Sequence, residues 1–207
     1  MNALKSIKVA GFKSIYRLDL ELSNLNILIG ANGSGKSNFI KVFTLLNKII
    51  NRRLQVFTGQ EGGADNILFF GDKITKGIEI NLDFHPNGYY CRLVPTVKDS
   101  LIFEENHGWH IGELYNEPFN IYFGSGAETS LVELAEEDVT ARCILDCVKG
   151  WIVYHFHDTS SSSGARKPCN IEDNAFFKTR RFESCGVFIP DENEISCKLS
   201  KYSRNCS

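Results

Sequence analysis

The chain has 207 residues, enough for one large or two small domains around a sizeable buried core. Lys and Arg total 23 against 25 Asp and Glu, a formal charge of -2, which excludes a histone-like or ribosomal-type polycation though not a local basic face. Hydrophobic residues at 43% and charged residues at 23% are ordinary for a folded soluble protein, and no apolar run reaches the ~20 residues that span a bilayer. The first six residues, Met1-Asn2-Ala3-Leu4-Lys5-Ser6, have no apolar stretch of the secretory kind. The cytoplasm is the expected compartment, with no membrane partner.

Ile7 and Val9 alternate with Lys8, and Gly11-Phe12-Lys13-Ser14 marks a turn. Tyr16, Leu18, Leu20 and Leu22 then alternate with Arg17, Asp19 and Glu21, the pattern of a half-buried strand. Asn24 breaks it, and Leu25-Asn26-Ile27-Leu28-Ile29 predicts a short, fully buried strand. From Lys36 the period becomes helical. Phe39, Val42, Phe43, Leu46, Ile49 and Ile50 share one face and Lys41, Thr44, Lys48 and Asn51 another, a helix of about four turns ending near Arg52-Arg53.

Residues 57–66 are rich in glycine and predict a mobile loop. Ile78, Ile80, Leu82 and Phe84 alternate with polar residues, and Pro86-Asn87-Gly88 signals a turn before a strand over residues 89–94. Further short strands are predicted over residues 101–104 and 119–123. Ser130 with Glu133 forms a capping box for a helix running to Lys149, with Gly150 past its end. Residues 151–156 read as one more strand and residues 159–164 as a Ser-rich loop.

Gly30-Ala31-Asn32-Gly33-Ser34-Gly35-Lys36-Ser37 fits G-x-x-x-x-G-K-[ST] between an apolar run and an amphipathic helix. Its glycines let the main chain curl so that successive N–H groups face phosphate oxygens, and the helix N-terminus adds partial positive charge. Lys36 is placed for the β- and γ-phosphates of a nucleotide, and Ser37 offers a hydroxyl to Mg²⁺. Four fixed positions arise by chance in roughly one chain in a hundred of this length, and the flanking elements lower that further. The motif therefore predicts a nucleoside triphosphate, with Mg²⁺, as ligand.

About two strands of alternating sequence precede the loop, whereas in small-molecule kinases the loop follows the first strand. With Gly11-Phe12-Lys13-Ser14-Ile15 and the string from Asn26 through Asn38-Phe39, this arrangement resembles the N-terminal part of ABC-type ATPase heads, and most nearly the RecF/SMC-like AAA family ATPases of bacteria. Three later strings are similar to one RecF-like subgroup: Gly62-Gly63-Ala64-Asp65-Asn66, Asp99-Ser100-Leu101-Ile102-Phe103-Glu104-Glu105, and Tyr154-His155-Phe156-His157-Asp158-Thr159-Ser160.

The resemblance implies an α/β fold, the strand-rich first lobe of an ABC/SMC-type P-loop NTPase head, spanning residues 1–179 and incomplete. It implies ATP held by Gly30, Ala31, Asn32, Gly33, Ser34, Gly35, Lys36 and Ser37, with Asn38 near the α-phosphate, Mg²⁺ on Ser37, and Lys13 approaching from the preceding turn. In the complete family, ATP is sandwiched between two heads, hydrolysed, and coupled to work on DNA in repair or in defence against foreign DNA. Head-to-head dimerisation and DNA as a partner are thus implied too.

An ABC head also carries an apolar strand ending in Asp-Glu, a Ser-containing signature loop and a later His. None is found here; Pro190-Asp191-Glu192 has the acidic pair, but the apolar run before it is short and no signature loop precedes it. Either turnover is weak or the chain is a nucleotide-binding interaction module or non-functional fragment. Past Thr179 the resemblance stops, so residues 180–207 are expected to be a divergent tail, frameshifted or disordered. One choice of codons for Ser184 through Pro190, read one base later, gives the Leu-Ala-Ala-Phe-Leu-Tyr segment with which relatives continue.

The remaining candidates have plainer readings. Of seven cysteines, Cys185, Cys197 and Cys206 crowd the tail, and the odd number argues against a disulfide framework. Cys143 and Cys147 share a helix face and read as packing residues rather than metal ligands. His155 and His157 beside Asp158 fit a strand-end pair better than a metal site, and His107 and His110 read as surface residues. Arg166-Lys167 and Lys178-Thr179-Arg180-Arg181 are solvated clusters before they are a phosphate-backbone track.

Overall fold

The structure, a computed structural model, describes residues 3–112, 118–127, 129, 131–151, 153–155 and 186–188. The chain divides into two compact units, Met1–Lys149 and Gly150–Ser207. In the first, β1 (Ser6–Phe12), β2 (Ile15–Glu21), β3 (Ile78–Asp83), β4 (Asn87–Pro95), β5 (Leu101–His110) and β6 (Phe119–Tyr122) form one sheet in the order β2-β1-β3-β4-β5-β6. Every pairing in it is antiparallel.

Period-two alternation decides which face of this sheet is covered. The register Val9↔Ile80↔Cys91 aligns three buried side chains across β1, β3 and β4, while Lys8, Glu79 and Arg92 project from the opposite face. Asn106 continues the buried row on β5, and its side-chain amide donates to Thr129 Oγ at 2.8 Å and to the Phe123 carbonyl at 3.3 Å. Burial pushes the Cys91 thiol up to about 12, so it remains a neutral packing group.

Among the described residues, four helices complete the unit: α1 (Lys36–Ile50), α2 (Leu54–Gln60), α3 (Leu131–Glu137) and α4 (Val139–Lys149). Helix α4 packs on β4 and β5, and α1 packs on α4 and α2. A Cβ on Gly108 would lie 2.5 Å from Ile144 Cδ1, so α4 rests against the main chain of β5. Helix α1 buries the predicted stripe together with Leu45, and Phe39 meets Phe43 edge-on at 5.3 Å. Each such side chain contributes ~1.5–3 kcal/mol relative to exposure, which seats the helix firmly. On α4, Cys147 is buried and Cys143 half-buried. In the second unit, β7 (Val153–His155) pairs antiparallel with β8 (Gly186–Phe188).

Four expectations need correction. Residues 25–29 form no strand: Leu25, Ile27 and Ile29 are 78%, 73% and 92% exposed. An apolar run is buried as a strand only when neighbours pair with both its edges, and no described strand lies beside it. The chain leaves the sheet after Leu22, whose N–H donates to the Lys5 carbonyl, and turns through reciprocal Ser23–Asn26 hydrogen bonds. Residues 57–66 are not a single loop. Phe57 through Gln60 belong to α2, Ala64 is fully buried, and Asp99 takes the Asp65 N–H at 2.9 Å.

The helix expected up to Lys149 is two helices, because the Asp138 carboxylate accepts the Ala141 N–H at 2.7 Å and starts α4 afresh. Ser130 of the expected capping box lies outside the described residues, although Thr129 Oγ accepts the Leu131 N–H at 3.2 Å. Strand β5 runs on to His110, where a shorter strand was expected. Phe156, His157, Asp158, the Ser-rich loop over 159–164, Arg166, Lys167, Cys169, Lys178 to Arg181, Cys185, the Pro190-Asp191-Glu192 string, Cys197 and Cys206 also lie outside the described residues.

Gly11 closes β1 with φ +74°, and a Cβ there would sit 2.3 Å from the Gly77 carbonyl oxygen. Gly11→Ala combines a left-handed backbone with a clash against main chain and is expected to cost about 3 kcal/mol. The measurement is urea unfolding, with a lower midpoint at an unchanged slope.

Candidate functional site

The loop ahead of α1 takes its shape from two glycines. Gly33 and Gly35 hold φ +83° and +91°, conformations that L side chains adopt reluctantly. Nothing crowds Gly33, so its requirement is conformational, whereas a Cβ on Gly30 would approach Ser34 Oγ to 2.8 Å. The Ser34 N–H donates to the Ala31 carbonyl at 3.2 Å, and Phe39 N–H donates to the Gly35 carbonyl at 2.9 Å as α1 begins.

Lys36 ties this loop together. Its ammonium donates to the carbonyl oxygens of Gly30 and Ala31, each at 2.7 Å, and to Ser34 Oγ at 3.1 Å. Two carbonyls draw the cation over the mouth of the loop, and the longer hydroxyl contact is the one an incoming anion replaces at least cost. Gly35 caps α1 without a side-chain hydrogen bond, and the first helical turn holds no acidic residue. Its own first turn therefore sets no side-chain charge against its N–H groups and positive dipole end, a condition that favours anion binding at a helix terminus.

The residues read from sequence as phosphate-binding are consecutive and form this loop and the start of α1. Ala31, Asn32, Gly33 and Ser34 are exposed, Gly35 and Lys36 half-buried, and the Ser37 side chain opens to solvent. The Asn38 amide donates to Ser14 Oγ at 2.7 Å, in the turn between β1 and β2. Lys13, from that same turn, is paired with Glu61 at 2.7 Å.

Glu61 also accepts from Lys41 at 2.9 and 3.0 Å. Burial by itself raises its carboxyl, but hydrogen bonds and charge from Lys13 and Lys41 outweigh burial and hold it below the usual glutamate range. Sequence reasoning missed this cluster, because its members stand 20 and more residues apart and no motif joins them. A second meeting had a signal: two of the strings that carry the subgroup resemblance touch. The Asp99 carbonyl accepts from Ala64 N–H at 2.9 Å, and a Cβ on Gly63 would fall 1.8 Å from Asp99 Oδ2.

His107 and His110 have partners. His107 lies 5.0 Å from the Tyr90 ring, and His110 Nδ1 meets Asn87 Oδ1 at 2.7 Å, so both are half-buried in β5 rather than free on the surface. Among the described residues no group of three or more His, Cys, Asp or Glu is placed to hold a metal ion, and no helix is long and apolar enough to cross a membrane.

A family model for the AAA ATPase domain matches residues 3–194, and the chain belongs to that family. The match extends beyond Thr179. No curated protein matches the chain. Membership implies nucleotide binding and ATPase chemistry, and the antiparallel sheet with its few helices is a strand-rich α/β lobe of the P-loop NTPase kind.

Glu61 has a folded pKa below its unfolded value, so its contribution to stability is present above the normal glutamate range and is lost as pH falls through the folded value. Glu61→Gln is expected to flatten that acid limb. Thermal melts of both proteins from about pH 6 down to about pH 3 make the comparison.

Proposed function

We propose that the chain binds ATP with Mg²⁺ at residues 30–37, as the nucleotide-binding portion of a RecF/SMC-like ATPase. The observation that carries this reading is the Lys36 ammonium held by the Gly30 and Ala31 carbonyls over an α1 N-terminus free of acidic side chains. In this reading the main-chain amides of Gly33, Gly35 and Lys36 take phosphate oxygens, Lys36 takes the β- and γ-phosphates, and the exposed Ser37 hydroxyl ligates Mg²⁺. Mg²⁺ supplies charge neutralisation at the phosphates. The glycine geometry and the exposure of Ser37 both fit these ligands.

The finer reading assigns residues 1–179 to the N-terminal portion of an ABC/SMC-type head. In its complete form such a head pairs with a second head, hydrolyses ATP, and acts on DNA in repair or in defence. Support comes from the strand pair ahead of the loop and from the contact between the Ala64 and Asp99 strings. A nucleotide-binding interaction module without hydrolysis is the second reading.

Calorimetric titration with MgATP tests the site. Wild type is expected to bind, Lys36→Ala to lose binding altogether, and Ser37→Ala to retain ATP but lose the gain that Mg²⁺ confers. Unchanged affinity in Lys36→Ala would sink the assignment. Phosphate release by wild type is expected to stay near the Lys36→Ala background; clear turnover favours the ATPase reading over the binding module.

A further inference from the structure

Beside the first turns of α1, one carboxylate serves two ammonium groups. Glu61 Oε2 accepts from Lys13 Nζ at 2.7 Å and from Lys41 Nζ at 2.9 Å, while Oε1 accepts from Lys41 at 3.0 Å. Lys13 and Glu61 are 15% and 16% exposed, too covered for an ordinary solvated surface pair. Three elements meet at this point: the β1–β2 turn through Lys13, the second turn of α1 through Lys41, and the end of α2 through Glu61. Partly desolvated ion pairs add little net stability, because lost hydration offsets much of their attraction. What they fix is relative position.

The turn that carries Lys13 also reaches the phosphate loop. Ser14 Oγ accepts from Asn38 Nδ2 at 2.7 Å, and a Cβ on Gly35 would lie 3.2 Å from that same oxygen. Lys13 itself holds φ 49°, as the first residue of the two-residue turn between β1 and β2 requires.

We infer that Glu61 is a positioning residue for the phosphate loop: by drawing Lys13 and Lys41 onto one carboxylate, it keeps Ser14 seated against Gly35 and Asn38. It touches no nucleotide, and the inference rests on the ATP site proposed above. Without the carboxylate, two neighbouring ammonium groups face each other with no counter-ion. Their repulsion drives the β1–β2 turn away from α1 at the place where Ser14 meets the loop.

The test is MgATP affinity by calorimetry, on the full chain, for wild type, Glu61→Gln, Glu61→Asp, Lys13→Met and the Lys13→Met/Glu61→Gln double variant, each checked for native circular dichroism. Glu61→Gln is expected to bind about tenfold more weakly. Glu61→Asp should recover part of the loss, and the double variant should bind no worse than Glu61→Gln, because removing one ammonium relieves the repulsion. A role in general stability moves unfolding midpoints but not this coupling in affinity. Wild-type affinity in Glu61→Gln, or additive losses in the double variant, overturns the inference while leaving the ATP site intact. A wild-type chain that binds no MgATP overturns the site and this inference together. Should Glu61→Gln lose its native spectrum, Glu61→Asp and Lys13→Met decide, and wild-type affinity in both overturns the inference.

Discussion

Lys36 reaches back from the first turn of α1 and gives ammonium protons to the carbonyl oxygens of Gly30 and Ala31, so the intervening main chain closes into a ring under a cation. Around that bond, carbonyls at the start of the loop are satisfied by the lysine, which leaves the N–H groups at its end for an anion. Gly33 and Gly35 make the ring geometrically accessible, and the acid-free first turn of α1 keeps its field positive. Each part is ordinary by itself; together they suit a polyphosphate.

A loop of this kind is only as well placed as the helix behind it. Helix α1 is held by seven buried side chains from Phe39 to Ile50, and through α4 it shares the core side of the antiparallel sheet. At the other end of the site, polar contacts replace packing. Ser14 holds Asn38, and Glu61 gathers Lys13 and Lys41, so the turn between β1 and β2 is tied to the helix by directional bonds. Main-chain bonds add to this, from Lys13 N–H to the Ile67 carbonyl and from Phe69 N–H to the Gly11 carbonyl. The stretch after α2 is thereby a support for the turn, and within it Gly63 lies close against Asp99.

Much of the local structure was legible from pattern alone. Helix α1 has the predicted start and stripe and ends at Ile50, just short of the expected Arg52, and β1, β3 and β4 bury their alternating apolar residues, because each periodicity matches one backbone geometry; on β2, Tyr16 of the expected apolar row is 73% exposed. The phosphate loop was legible for a stronger reason: it is a contiguous motif, and its chemistry depends on residues within one turn of each other. Residues 25–29 show the limit of such reading. Composition marks them as fit for burial, but burial depends on strands alongside, and none of the described strands pairs with them.

By itself the sequence determined the contiguous G-x-x-x-x-G-K-[ST] loop, the helix that follows it and the strand-rich character of the lobe, since glycine positions, a lysine and two periodicities are local properties of the chain. Only the tertiary structure decided which distant groups meet. It set Glu61 between Lys13 and Lys41, turned Asn38 toward Ser14, locked Asp99 against Gly63, and left Ile27 and Ile29 in solvent. Long-range ion pairs and close main-chain approaches have no signature in spacing, because they depend on where the sheet and helices bring the chain back to itself.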